Sequence, residues 1–160
     1  RQMCIRDRGG AAPGNPGEIR RAAIDLLARR EHSRHELAGK LGRRFADTAA
    51  IASQVDDLAA AGLQSDRRFC EVFVRSRARQ GQGPQRIARE LKQRGIDEAM
   101  QRELLMDAGI DWLTSLRELY QRKFRGKAPG DQKERAKRLR FLQYRGFSFD
   151  MIREEMHEIG

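Results

Sequence analysis

The apolar residues of this chain recur at intervals of three and four, which is the spacing of one face of an α-helix. Ile51, Val55 and Leu58 fall on one such face, and Trp112 and Leu116 begin another. No segment shows the strict alternation of apolar and polar residues that marks a half-buried β-strand. The sequence therefore predicts an all-α protein in which each apolar stripe faces a core.

Signals for helix ends separate these stripes. Ser33 with Glu36 has the pattern of a capping box, Pro84 suits the first turn of a helix, and glycines such as Gly95 follow an apolar stripe. These signals predict about nine short helices joined by tight turns. Their expected ranges are 19–31, 33–44, 47–61, 66–80, 84–94, 97–108, 111–125, 131–145 and 148–158.

The helices repeat in groups of three. Residues 91–96 and 142–147, which lie about 50 residues apart, match at a leucine, an arginine, a glycine and a final large apolar residue. Residues 41–45 form a looser copy. We therefore expect three tandem three-helix repeats, stacked into an elongated curved array. The expected repeats are residues 18–64, 65–109 and 110–160.

The first 17 residues are expected to be a disordered leader, because residues 9–17 are rich in glycine and proline. Residues 1–8, RQMCIRDR, resemble translated sequencing-adapter DNA. We therefore expect this run to be foreign to the native protein and to contribute nothing to the fold.

The chain is strongly basic, with 33 Lys and Arg against 23 Asp and Glu and a formal net charge of +10. The charge alternates along the chain. Three blocks are basic: 17–45 has eight basic and four acidic residues, 65–95 has nine and three, and 117–145 has eleven and three. The segments between and after them, 46–64, 96–116 and 146–160, are acidic. Like charges repel one another, so this excess favours a polyanionic partner over a merely solvated surface.

We expect that partner to contact the basic helix faces of the second and third repeats. On the helix after Ser65, for example, arginines lie opposite the apolar face of Phe69 and Phe73. A single basic helix is usually only a solvated face, but three basic blocks in register favour binding. The candidate contacts are Arg68, Arg75, Arg79, Arg86, Arg89 and Lys92 in the second repeat, and Lys133, Lys137, Arg138 and Arg140 in the third.

No stretch approaches the ~20 apolar residues of a membrane-spanning helix, and the start of the chain lacks the apolar core of a secretory signal. We expect a cytoplasmic protein with no membrane partner. Cys4 and Cys70 are too few for a disulfide framework and do not have metal-ligand spacing, which fits a reducing compartment.

The sequence offers little for catalysis. His32 and His35 are three residues apart, but no third metal ligand recurs at a supporting spacing. Ser65, Ser76 and Cys70 have no histidine that the sequence places beside them, and no glycine-rich phosphate loop follows a strand. We therefore expect no cofactor, no metal and no enzymatic activity, so that the function lies in binding.

Two other kinds of binding protein fit the same pattern. Residues 26–45 and 47–63 resemble a helix-turn-helix or winged-helix unit. The helix that would read bases has no Lys or Arg and carries Asp47, Asp56 and Asp57, which would repel phosphate. A transcription regulator of this type would prefer one duplex sequence, whereas a general nucleic-acid-coating protein would show steep salt dependence without preference.

The middle repeat resembles the RecX family. The residues that carry the likeness are Asp66-Arg67-Arg68-Phe69, Phe73, Arg77, Gly83-Pro84, Arg86-Ile87, Glu90-Leu91 and Arg94-Gly95-Ile96. The likeness extends from about Glu18 to the end of the chain and includes residues 138–147, Phe149 and Ile152.

This resemblance implies tandem three-helix repeats and a regulatory role in DNA repair and recombination. The partner it implies is the RecA recombinase filament, in whose helical groove such proteins lodge, restraining filament growth, ATPase activity and strand exchange. Single- or double-stranded DNA is a further expected ligand, and we expect the protein to be a monomer.

Overall fold

The computed structural model describes residues 13–159, and this part of the chain contains nine α-helices and no β-strand. Each helix lies within three residues of its predicted range at either end, so the prediction of an all-α fold is confirmed. The predicted foreign run 1–8 and the leader up to residue 12 lie outside the described residues. The helices are α1 (Pro16–Arg29), α2 (Arg34–Gly42), α3 (Thr48–Ala60), α4 (Asp66–Arg79), α5 (Pro84–Gln93), α6 (Glu98–Asp107), α7 (Trp112–Phe124), α8 (Gln132–Tyr144) and α9 (Phe149–Ile159).

Polar side chains fix where these helices begin. The predicted capping box is present, because the Ser33 hydroxyl accepts from the Glu36 amide at 3.1 Å and the Glu36 carboxylate accepts from the Ser33 amide at 3.3 Å. Asn15 caps α1, and Pro16 occupies its first turn, so this helix begins before Glu18. Asp47, Asp97, Asp111 and Asp131 cap four further helices. Each cap contributes about 1 kcal/mol.

The chain divides into two compact units at Phe69. In the first unit, α1, α2 and α3 pack against one another around a core that comprises Ile19, Ala22, Ala23, Leu37, Leu41, Phe45, Ile51, Val55 and Leu58. In the second unit, α5 packs on α6, and α9 packs on α7 and α8. None of the helices within residues 13–159 is long and apolar enough to cross a membrane.

Buried polar groups hold the turn between α1 and α2 in the first unit. The His32 side chain is 1% exposed, and its Nδ1 is 3.0 Å from the carbonyl oxygen of Arg30 while its Nε2 is 2.9 Å from Nζ of Lys40. The side-chain nitrogen Nε2 of Gln64 donates to the His32 carbonyl at 3.2 Å. Both ring nitrogens are therefore engaged inside the fold, which gives His32 a structural role.

The third repeat has a small core of its own inside the second unit. Leu116, Leu119, Tyr120, Leu142, Phe147 and Ile152 form it, and all are almost fully buried. A bidentate ion pair accompanies this core, because the guanidinium of Arg117 binds the buried carboxylate of Glu155 at 2.8 and 3.1 Å. The third repeat therefore combines apolar packing with a partly buried ion pair.

Arg138 belongs to this core and not to the surface. Its side chain is 6% exposed, and its guanidinium donates to the Tyr120 hydroxyl at 2.8 Å, to the Lys127 carbonyl and to Glu134 at 2.7 Å. The guanidinium carbon also lies 4.4 Å from the centre of the Phe124 ring. Burial acts to lower the pKa of Arg138, but the Glu134 carboxylate and Tyr120 hydroxyl raise it overall, so the group stays charged. The structure therefore removes Arg138 from the candidate partner contacts.

We predict that the first unit loses stability as the pH falls below about 6.5, the ordinary pKa of histidine. Burial, with the charges of Arg30 and Lys40, lowers the pKa of His32 in the folded state, although the hydrogen bond to the Arg30 carbonyl and the charge of Glu36 oppose this. As the pH falls, His32 is therefore protonated in the unfolded chain before it is protonated in the folded protein. Its contribution to the free energy of unfolding is complete above about pH 6.5 and is lost below it.

Urea unfolding followed by circular dichroism at pH 7.5 and pH 5.5 measures this effect. The variant His32→Gln should be less stable at pH 7.5 by roughly 1–3 kcal/mol, because it disturbs buried hydrogen bonds. It should also lose less stability between the two pH values than the unmodified protein. The pKa of Glu36 is lowered, despite its burial, by hydrogen bonds from Arg30 and the Ser33 amide, so this carboxylate does not titrate in the same range. Equal pH sensitivity of the two proteins would contradict the prediction.

A second prediction concerns Arg138. Replacing it with methionine leaves the Tyr120 hydroxyl and the Lys127 carbonyl without their partner, and should lower the free energy of unfolding by about 2–4 kcal/mol. Arg140→Met is the matched control, since Arg140 is exposed and its loss should cost less than about 0.5 kcal/mol. Urea unfolding of both variants provides the comparison, and equal losses would show that Arg138 has no special structural role.

Candidate binding surface

The basic residues of α8 form a stripe on the face that points away from the core. Lys133, Lys137 and Arg140 recur every three or four residues and are exposed, and the exposed Tyr144 continues the same stripe. Arg138 and Leu142 occupy the opposite, buried face. One turn of helix separates successive members, or about 5 Å along the axis.

The basic residues of α5 likewise lie opposite its buried positions. Ile87 and Leu91 are buried, Arg89 and Lys92 are exposed, and Arg86 is half-buried. α5 is only ten residues long, and its basic residues and its buried apolar residues lie on different sides of the helix. Each of the two helices thus presents one basic face to solvent.

Arg86 joins the two helices. Its guanidinium carbon lies 4.9 Å from the centre of the Tyr144 ring, which is a cation–π contact. A shallow groove lies beside this contact and is lined by Arg86, Arg89, Glu90, Gln93, Gln143 and Tyr144. We call this groove and the α8 stripe together the α5–α8 surface.

The contact between Arg86 and Tyr144 depends on two glycines. The Gly83 amide donates to the carbonyl of Arg145 at 2.7 Å, and the Gln85 amide donates to the carbonyl of Gly146 at 3.0 Å. A Cβ atom on Gly146 would lie 2.4 Å from Cβ of Arg86, and the φ angle of Gly146 is 101°, which L-residues rarely adopt. Only glycine at this position lets the start of α5 rest on the turn after α8.

Glu90 is the one acidic residue that lines the groove. One of its carboxylate oxygens lies 3.3 Å from Nε of Arg77, and the other lies 4.0 Å from Nε of Arg86. Arg77 and Arg94 also lie over the ring of Phe73, each with 4.7 Å between the guanidinium carbon and the ring centre. The charge of Glu90 is therefore offset by neighbouring arginines, and the groove keeps a positive potential.

The structure places the other predicted contacts elsewhere. Arg68 lies in the first unit and pairs with Glu31 at 3.0 Å. Arg75 and Arg79 are exposed on α4. Arg75 lines a small cleft that also contains Glu71 and Asp107. Arg79 lines a separate groove with Ala78, Gly81, Ser115, Arg117, Glu118, Gln121 and Arg122. These two grooves hold acidic as well as basic residues, in contrast to the α8 stripe.

Tyr144 is a residue of this surface that is absent from the contacts predicted from sequence. It is 69% exposed, which is unusual for a large aromatic side chain on a packed helix. Its position was visible in the sequence, since it lies four residues after Arg140 and seven after Lys137. The charge pattern that predicted the basic contacts does not include an aromatic ring at the end of the stripe.

Chemically, the α5–α8 surface suits anions. Lysine and arginine bind phosphates and carboxylates, arginine with a planar fork that matches either group, and an open aromatic ring offers a flat face for stacking. Within residues 13–159 no cluster of three or more His, Cys, Asp or Glu side chains could hold a metal ion. The arrangement is that of a binding surface.

Comparison with known proteins agrees with this architecture. Models of the first, second and third three-helix domains of RecX match residues 20–58, 65–105 and 110–156. The chain is 54% identical to the regulatory protein RecX of Ectopseudomonas mendocina over 138 residues, which cover 86% of this chain and 92% of the relative. It is 48% identical to the regulatory protein RecX of Halorhodospira halophila over 135 residues, covering 84% of each chain.

The fold also matches solved structures. A crystal structure of RecX from Lactobacillus salivarius superposes with a TM-score of 0.70, covering 90% of this chain and 96% of that one at 22% identity. A second crystal structure, of a regulatory protein RecX, gives a TM-score of 0.67, covering 89% of this chain and 73% of that one at 19% identity. At such low identity these two structures establish the fold alone. The three domain matches and the close relatives together show that this chain belongs to the RecX family of regulatory proteins.

Proposed function

We propose that this protein binds the filament of the RecA recombinase on DNA and restrains its ATPase activity, growth and strand exchange. The family to which the chain belongs supports the regulatory role. The observation that carries the proposal is the exposed basic stripe of α8, which ends beside the α5 groove. A filament that holds DNA presents phosphates along its length, and a stripe of cations complements them.

The proposed contact is spread over a surface and does not rely on a single pocket. Exposed cations each contribute little, but several of them on rigid helices act together and gain affinity from being held in fixed positions. We propose that the contacts come from the exposed or half-exposed basic residues Arg68, Arg75, Arg79, Arg86, Arg89, Lys92, Lys133, Lys137 and Arg140.

The proposal makes this protein a regulator that acts by binding, without catalysis of its own. It places the protein in the cytoplasm, where a bacterial recombinase meets DNA, and treats it as a monomer.

The winged-helix alternative requires α3 of the first unit to enter a DNA groove. That helix and its cap carry Asp47, Asp56 and Asp57, all exposed, and Asp56 is paired with Arg34. The acidic side chains oppose such a contact with phosphate.

The experiment that tests the proposal is the single-stranded-DNA-dependent ATPase of RecA, titrated with this protein below stoichiometry. We expect inhibition at substoichiometric ratios. The variant Lys133→Glu, Lys137→Glu, Arg140→Glu should lose at least tenfold in potency, because three attractive charges become repulsive. Its helicity by circular dichroism should be unchanged, since all three residues are exposed.

A matched control separates the surface from net charge. Arg21→Glu, Arg29→Glu, Arg43→Glu changes the total charge equally at exposed positions of the first unit, and should inhibit like the unmodified protein within about twofold. Full potency of the α8 variant would contradict the proposed surface. If the unmodified protein left the ATPase unaffected and instead bound one duplex sequence tightly, the filament proposal would fail in favour of the winged-helix alternative.

A further inference from the structure

We propose that the α5–α8 surface itself binds single-stranded nucleic acid, with a base stacked on Tyr144 and the neighbouring phosphates held by the basic stripe of α8. This inference deepens the proposed function and rests on it, because it names the ligand that the surface would contact on a filament. The binding is, however, a property of the chain alone and is measurable without a recombinase.

The Tyr144 ring is contacted by a cation and is otherwise accessible. Tyr144 is 69% exposed although the guanidinium carbon of Arg86 lies 4.9 Å from the ring centre, so most of the side chain is open to solvent. The cation–π contact restricts the motion of the ring, so less conformational entropy is lost when a base binds to it. The result is an aromatic platform that a cation contacts and that is largely open to solvent.

Polar side chains lie around that platform. Gln93, Gln143 and Arg89 line the same groove as Tyr144 and offer hydrogen-bond donors and acceptors next to the ring. Side-chain amides suit any base edge, and base–aromatic stacking is likewise tolerant of sequence. The groove therefore favours a strand of any sequence.

The basic stripe of α8 offers a path for the phosphate backbone of the strand. Arg140, Lys137 and Lys133 follow Tyr144 back along α8 on one face, covering about 16 Å at 1.5 Å per residue. The acidic residue of this helix, Glu134, has its carboxylate engaged by Arg138 and by the amide of Gly130. A strand whose base stacks on Tyr144 thus finds cations along the stripe and no free carboxylate on it.

These features select a single strand over a duplex. The bases of a duplex are stacked on each other and expose no face to a side chain, whereas a single strand can turn one base onto a ring. The surface also lacks an element that reads a groove, since Lys133, Lys137 and Arg140 lie along the outside of one helix. The proposal therefore predicts preference for a single strand.

The test is fluorescence anisotropy of a labelled 20-nucleotide oligothymidylate, titrated with the protein alone at several salt concentrations. The logarithm of the affinity should fall with the logarithm of the salt concentration with a slope of about −0.7 for each phosphate neutralised, or about −3 for four contacts. The same oligonucleotide annealed to its complement should bind more weakly.

Three variants separate stacking from charge. Tyr144→Ala should weaken binding about tenfold with an unchanged salt slope, because it removes a stacking platform and no charge. Tyr144→Phe keeps the ring and should bind within about twofold of the unmodified protein. Lys133→Gln, Lys137→Gln should reduce the salt slope by about 1.4. The control Arg21→Gln, Arg29→Gln removes the same charge from exposed positions of α1 and should leave the slope unchanged.

Several results would overturn this inference: no measurable binding to the oligonucleotide, equal binding of Tyr144→Ala and the unmodified protein, or the same change of slope in the control. These results are distinguishable from failure of the proposed function. A protein that inhibits the recombinase ATPase but does not bind the oligonucleotide refutes the inference and retains the proposed function. A protein that binds the oligonucleotide through Tyr144 but leaves the ATPase unchanged supports the inference and refutes the proposed function.

Discussion

The α5–α8 surface depends on the close approach of two stretches of backbone. Gly83 and Gly146 let the start of α5 rest on the turn after α8, with main-chain hydrogen bonds of 2.7 and 3.0 Å across the contact. A side chain on Gly146 would push against the backbone and Cβ of Arg86. The second and third repeats are thereby fixed to each other inside the second unit. Only with this contact does Arg86 come to lie over the ring of Tyr144.

The arginines of this protein divide into those engaged within the fold and those open to solvent, and burial of the arginine or of its partner decides which is which. Arg138 makes three hydrogen bonds within the fold, and Arg117 binds the buried Glu155 with both arms of its guanidinium. Breaking such partly buried pairs is costly, because the remaining partner loses both its hydrogen bonds and its hydration. The exposed Lys137 and Arg140 carry no such constraint and are available to a partner. A high net charge therefore overstates how much positive surface the protein presents.

This division also explains what the sequence could and could not predict. Helix boundaries followed from caps and apolar spacing, because both are local properties of the chain, and the capping box at Ser33 and Glu36 formed as expected. The role of Arg138 depends on where Tyr120 and the Lys127 carbonyl lie, and they are distant in sequence. Its spacing of four residues from the buried Leu142 was a local hint that it faces the core. Tyr144 gained its role only through contact with Arg86 from another repeat.

Neighbouring helices of the second unit such as α5 and α6 carry opposite net charges, so its charge is distributed unevenly. The basic α5 packs on α6, which carries Glu98, Glu103 and Asp107, and the basic α8 packs on α9, which carries Asp150 and Glu154. Charges within one helix face lie closer together than the Debye length of about 8 Å at physiological ionic strength, so they act jointly. An approaching polyanion is consequently attracted to α5 and α8 and repelled by α6 and α9, which orients the protein before any specific contact forms.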